Sequence, residues 1–166
     1  MSTQNCLADR TVGAMKLSTL QSKDVAGANH VRMAATLAQI NALMTELMGH
    51  KVVIDLEILL ATLAQAHSKT FVVLNQDEKI IGIGTVSLLW TLHGREARID
   101  HFVVLPEYRG TDAAMLLVNA IEDFARMGNV FLTELICGRE RPAARAFWKK
   151  HGFEEELGAV FRKYAE

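Results

Sequence analysis

Cysteine is scarce: Cys6 and Cys137 are the two in 166 residues. They form neither a metal-spaced cluster nor a disulfide framework, which fits a reducing compartment. Charge of one sign is also missing, since 18 Lys+Arg against 19 Asp+Glu leave a formal net charge of −1. That balance provides no global basic surface for nucleic acid. No apolar run reaches the roughly 18 residues of a membrane span. The opening MSTQNCLADRTVGA lacks the basic start and apolar core of a signal peptide. A cytoplasmic protein, without nucleic acid or membrane as partner, is the expectation. Motifs of several chemistries are absent too. The six histidines are scattered with no H-x-x-x-H pair, so no metal site is expected. There is no G-x-S-x-G and no G-x-x-x-x-G-K-S/T, and the glycines of Gly82-Ile83-Gly84 fall mid-strand, where they relieve packing or mark a bulge.

What is present is an ordinary globular composition, 50% hydrophobic and 22% charged. The length suits one domain that holds a core without a disulfide or metal. Residues 1–14 read as a mobile polar tail, and residues 15–166 as the domain. MKLSTLQSKD predicts a short strand and then a turn, with Asp24 placed to cap a helix. Met33, Leu37, Ile40, Met44 and Leu47 then fall on one helical face, ended by Gly49. Asp55 is placed to cap a second helix, where Leu56, Leu59, Leu63 and Ala66 share a stripe. Thr70–Leu74 and Lys79–Leu89 flank the turn residues Asn75–Glu78 and read as a hairpin, and EARIDHFVVL adds a third strand. Ala113, Leu116, Leu117, Ala120, Ile121 and Phe124 share one face of the next helix. VFLTELIC is a strand, Pro142 opens a helix, and VFRKY is a final strand. The predicted order is β-α-α-β-β-β-α-β-α-β. This is an α/β (α+β) chain with a mixed, mostly antiparallel sheet flanked by helices.

The stretch VVLPEYRGTDAAMLLV, Val103–Val118, concentrates the chemistry. A strand stops at Pro106 and hands over to a helix through Tyr108-Arg109-Gly110. Backbone N–H groups at a helix start have no partner within the helix and favour an anion. Glycine, and small residues such as Ala113 and Ala114, let a phosphate approach, and Arg109 adds positive charge. The segment reads as a pyrophosphate cradle or, equally, as a surface turn with Thr111 or Asp112 as helix cap.

VLPEYRGTDAA resembles the pattern V-x-P-x-Y-R-G-x-G-x-G/A of the GNAT superfamily, the acyl-CoA-dependent N-acetyltransferases. RPAARAFWKKHGF, Arg141–Phe153, is similar to the family's second stretch, N-x-x-A-x-x-F-Y-x-x-x-G-F. The resemblance implies that acetyl-CoA is the acyl donor, with its pyrophosphate on the amides of Arg109, Gly110, Thr111, Asp112, Ala113 and Ala114. It also implies that the backbone of Phe102, Val103 and Val104 pairs with the pantetheine arm. The Val104 amide would then stabilise the oxyanion as a small-molecule or peptide amine attacks the thioester directly. Homodimers are common in the family.

Three positions depart from the pattern. Asp112 stands where the family has its central glycine, and its carboxylate opposes an anion unless it turns back to cap its helix. Arg141 replaces the usual asparagine and either compensates for Asp112 or faces solvent. Trp148 stands where many members carry tyrosine, and indole cannot protonate a departing thiolate; packing on the cofactor arm or the core is then its role. An amine also needs a base at neutral pH. Asp100 matches a frequent family acidic position, and simple alternation sets it on one face with Phe102 and Val104; an ordinary strand carboxylate is the alternative. His101 falls on the other face, Glu96 lies further out, and Cys137 suits a small buried hydrophobe. Two functions follow from these residues. One is an N-acetyltransferase; the other is an inactive member of the fold that binds or regulates, with weak or no CoA binding.

Overall fold

The computed structural model describes residues 10–27, 30–156, 158 and 160–162. They fall into two compact units, Met1–Leu135 and Ile136–Glu166. The first is built on a six-stranded sheet. In chain order its strands are β1 (Thr11–Val12), β2 (Met15–Leu20), β3 (Ser68–Leu74), β4 (Ile80–Thr91), β5 (Gly94–Val104) and β6 (Leu132–Leu135). Strand order follows chain order, and every pair is antiparallel except β5–β6. The helices are α1 (Ser22–Ala26), α2 (His30–Met48), α3 (Leu56–Leu63) and α4 (Ala113–Met127), with a 3₁₀ turn over Pro106–Tyr108. The fold is α/β, a mixed and mostly antiparallel sheet flanked by helices.

Three boundaries differ from expectation. The sheet begins inside the stretch read as a tail: Thr11 pairs with Lys16, and the Leu17 N–H donates to the Arg10 carbonyl. Residues 1–9 lie outside the described residues. Two helices stand where one was expected, and Asp24 lies inside the first rather than at its cap. Gln21 precedes α1, and the Asp24 carboxylate in the first turn accepts from the Gln21 N–H at 3.0 Å, the half of a capping box that reaches back. No strand forms over Val160–Arg162, part of the expected VFRKY strand; Lys163 and Tyr164 lie outside the described residues.

Alternation along β4 divides the core between two faces. Ile83, with Val72 and Val103, packs against Val25, Ile40, Leu43, Met44 and Leu59 of the first three helices. Gly82 and Gly84 point the other way, where a β-carbon would meet Leu117 at 3.3 Å and Ile121 at 3.0 Å. These glycines therefore let α4 lie close on the sheet. α4 buries Leu116, Leu117, Val118, Ala120 and Ile121 there, and a fully buried leucine or isoleucine contributes about 1.5–3 kcal/mol.

The link from α2 to α3 is held from below. Asn41 accepts from the Ile54 N–H at 2.6 Å and donates to the Ile54 carbonyl at 3.1 Å. The Val52 N–H donates to Thr45 Oγ1 at 3.1 Å. Gly49, at φ +72°, ends α2, and the Asp55 carboxylate accepts from the Ile58 N–H at 2.8 Å to cap α3.

The second unit contains α5, Pro142–Lys150. Trp148 is 7% exposed and meets Phe147 and Phe153 edge-on, with centroids at 5.2 and 5.0 Å. Among the described residues no helix is long and apolar enough to cross a membrane.

Candidate active site

The site begins with one extra residue in β5. Asp100 pairs with Thr85 and Val103 with Ile83, so His101 and Phe102 together face Gly84. This is a β-bulge, with His101 in the left-handed region at φ +55°, a conformation histidine adopts more readily than most residues. The bulge corrects the alternation. Thr85 and Ile83 share a face, so Asp100 lies with Val103 on the side of α2. Phe102 lies on the α4 side, its ring 3.2 Å from a β-carbon built on Gly84.

The same register decides which peptide groups are open. The Leu105 N–H donates to the Ile81 carbonyl at 2.9 Å. Alternation then spends the polar groups of Val103 on Ile83 and turns those of Val104 away from β4. On that outer side β6 has already ended, its last pair being Leu135 with Ile99. Among the described residues of the first unit, β5 thus runs on to Val104 with one edge unpaired. Val103 offers no free peptide, so the open edge is narrower than expected and centres on Val104.

Arg109 lies next to that edge. Its Nε donates to the Val104 carbonyl at 3.3 Å and its Nη2 to Glu46 of α2 at 2.6 Å. The guanidinium is therefore committed to the strand end and α2, leaving the Val104 N–H as that residue's open group. Glu46 also borders a recess of about 520 Å³ lined by Ala42, Thr45, Gly49, His50 and Leu105. Tyr108 is fixed by Asn75, whose amide donates to its hydroxyl at 3.1 Å. Gly110 has φ +77° and open space where a β-carbon would stand. Thr111 Oγ1 donates to the Tyr108 carbonyl at 2.6 Å and lies 3.4 Å from the Ala113 N–H. Ala113 is fully buried and Ala114 half-buried. Asp112 precedes α4 with helical torsions, φ −72° and ψ −2°, and its exposed side chain makes no cap bond. The self-capping that would turn its charge aside does not occur.

Asp100 is half-buried, and Arg98 Nε lies 3.3 Å from its Oδ2. Glu96 accepts from Thr91 Oγ1 at 2.8 Å. Thr70 and Thr85, both buried, share a hydrogen bond of 3.1 Å beside Asp100.

In the second unit Arg141 precedes α5, 3.8 Å from Glu140. Cys137 is half-buried; burial pushes its thiol up from 9.0, against the pull of Arg141 and Arg145. A thiol so held is a poor nucleophile. Sequence reasoning passed over Glu46, Asn41 and Arg98. Only Arg98 carried a local signal, its alternation with Glu96 and Asp100; the other two act across elements distant in sequence.

Residues 39–153 match the family model described as Acetyltransferase (GNAT) family. The chain belongs to the GNAT acetyltransferase family. A comparison with curated proteins gives no match. Among solved structures, an aminoglycoside acetyltransferase from an uncultured soil metagenomic sample superposes with a TM-score of 0.74. It is 19% identical, over 92% of this chain and 97% of that one. Glucosamine-6-phosphate N-acetyltransferase of Arabidopsis thaliana gives a TM-score of 0.71 at 18% identity, over 93% and 100%. Aminoglycoside 6'-N-acetyltransferase of Acinetobacter baumannii gives 0.70 at 19%, over 92% and 99%. At these identities the likeness is one of fold. The GNAT assignment accounts for the element order through α4 and the glycine turn together.

Proposed function

We propose that this GNAT chain is an N-acetyltransferase that moves the acetyl group of acetyl-CoA to a small amine. The observation that carries the proposal is the Val104 peptide, facing an edge with no strand on it among the described residues of the first unit and followed within a few residues by a left-handed glycine and a helix start. A peptide donor for developing charge and a seat for phosphates lie on one continuous stretch of backbone. The residues fit the group on those grounds, with Gly110 leaving space and the α4 N-terminus leaving donors. The Asp112 carboxylate, not turned back to cap α4, opposes it, and Arg109 must leave Glu46 to help.

Acetyl-CoA, when bound, supplies the thioester carbonyl. The Val104 N–H holds the carbonyl oxygen as charge develops on it. Asp100 takes the proton that the attacking amine loses, directly or through water. The chemistry the group would supply is transfer of its acetyl carbon from sulfur to the amine nitrogen, a C–N bond replacing the C–S bond, with the CoA sulfur as the leaving group. No tyrosine stands at Trp148, and the thiolate departs without a dedicated acid.

The alternative is an inactive member of the fold that binds CoA weakly or not at all, favoured by the uncapped Asp112 carboxylate. Thermal unfolding with acetyl-CoA separates the two readings. Ligand at a hundred times its dissociation constant adds about 2.7 kcal/mol of stability, which raises the midpoint by roughly 5–10 °C in a domain this size. The expected shift, followed by thiol release in the presence of amines, supports the enzyme. No shift at millimolar ligand overturns it.

A further inference from the structure

The face of β5 that carries Asp100 has a consistent chemistry along its length. Register sets Arg98 opposite Ser87 and Glu96 opposite Leu89, on the same side as Thr85 and Asp100. Across the parallel pairing, Arg98 also stands beside Glu134 of β6. One guanidinium is thus flanked by Glu96, Asp100 and Glu134, with the Ser87 hydroxyl bonded on to Ser68 at 3.2 Å. The carboxylates suit an amine, and the guanidinium among them is the one group on this stretch of β5 that suits an anion.

The cation is not used up. Arg98 is 47% exposed at its side chain, and its Nε makes the single contact with Asp100 at 3.3 Å. Among the described residues neither of its Nη groups makes a hydrogen bond or salt bridge to protein. The planar Nη pair is the part of arginine that matches a carboxylate or phosphate bidentately. Residues two apart on a strand are about 7 Å apart along the chain. A small molecule that brings its amine to Asp100 therefore sets its neighbouring atoms beside Arg98. The Arg98–Asp100 pair is a contact that such a molecule can replace on both sides, cation for cation and anion for anion.

We propose that Arg98 selects acceptors bearing an anionic group, carboxylate or phosphate, next to the amine that is acetylated. The inference rests on the acetyltransferase reading and narrows its substrate class. An acceptor carrying cations alone meets Arg98 without a partner for it.

The test is a set of matched acceptors measured by thiol release from acetyl-CoA. Phosphoethanolamine against ethanolamine reports a phosphate, and methionine against methioninamide a carboxylate. In the unaltered protein the anionic member of at least one pair is favoured by about 10- to 100-fold in kcat/KM, the effect of a hydrogen bond to a charged group. The preferred pair tells which anion is read. Arg98→Ala brings that ratio within roughly threefold of one, mainly through KM, and Arg98→Glu inverts it. Arg98→Lys keeps the charge, loses the fork, and gives an intermediate ratio. Acetylation of amines with no anionic preference, or a preference that survives Arg98→Ala and Arg98→Glu, overturns the proposal and leaves the acetyltransferase reading standing. Failure of acetyl-CoA to stabilise the protein, with no amine acetylated, overturns both.

Discussion

Asp112→Gly moves stability and ligand affinity in opposite directions, which makes it the sharpest test of the cradle. Asp112 has helical torsions and no cap bond, so its side chain provides no hydrogen bond to lose. Glycine at a helical position costs about 0.5–1 kcal/mol in backbone entropy. The free protein should therefore melt roughly 1–4 °C lower. Affinity goes the other way. For an anionic charge about 7 Å from the carboxylate, repulsion is roughly 0.6 kcal/mol in water and about 2.4 kcal/mol at an effective dielectric of 20. Two phosphate charges, partly screened, make the expected gain in acetyl-CoA affinity about 5- to 50-fold. Asp112→Asn separates charge from shape, since it keeps the side chain and removes the repulsion. Titration calorimetry at low and high salt reads both variants. Each should bind more tightly than the unaltered protein at low salt, and the gain should shrink near 1 M salt, where screening falls to about 3 Å. Equal or weaker affinity in Asp112→Asn would refute the idea that this carboxylate faces the ligand's charge.

Other consequences can be read at single positions. Gly84→Ala forces a β-carbon against Ile121 at 3.0 Å and the Phe102 ring at 3.2 Å; chemical denaturation should show about 1–3 kcal/mol lost to overpacking. Asn41→Ala removes both bonds to Ile54, and the loss should be about 1–3 kcal/mol with faster amide exchange at Ile54. Glu46→Gln weakens the hold on Arg109; salt dependence of acetyl-CoA binding should steepen as the guanidinium turns to the ligand, and an unchanged slope would count against this. Glu155, held by Lys149 and Arg145, has its carboxyl below the ordinary 4.5. A lowered folded value means its contribution is present at neutral pH and lost as pH falls through that value. Trp148 fluorescence, in a Trp90→Phe background, should report loosening of the second unit only below about pH 4.5, and Glu155→Gln should abolish that step.

Much of the fold was legible because its signals are local. Asp55 caps α3 through its own side chain, and Gly49 ends α2 with a torsion that glycine adopts freely. The Tyr108-Arg109-Gly110 turn was readable for the same reason. Asp24 was misread because a carboxylate serves equally well at the cap or three residues into the helix; only the pairing with the Gln21 N–H tells them apart. The bulge was legible from one side only. Gly82-Ile83-Gly84 marked its place on β4, but nothing at His101 fixes a left-handed torsion, and the two are distant along the chain. A register shift is a property of two strands, and a period-two reading of one strand puts Asp100 on the wrong face. Arg109 was visible as a charge beside a turn, whereas its binding to Glu46 depends on where α2 ends in space.

The bulge also explains why the site and the core share residues. With strict alternation Asp100 and Val103 would lie on opposite faces, so either Asp100 would face α4 or Val103 would leave the core it shares with Ile40 and Leu43. The added residue returns Val103 to that core while Asp100 stays on the α2 side of the sheet with Arg98. It also turns the Val104 peptide outward beyond the point where β6 stops. Deleting His101 should therefore be worse than any side-chain change there. His101→Gly, which adopts the left-handed torsion freely, should keep acetyl transfer within a few-fold. His101→Val, β-branched and disfavoured at positive φ, should lower both the melting midpoint and the turnover number. If His101→Val matched His101→Gly in both measurements, the left-handed bulge would not be what aligns Asp100 with Val104.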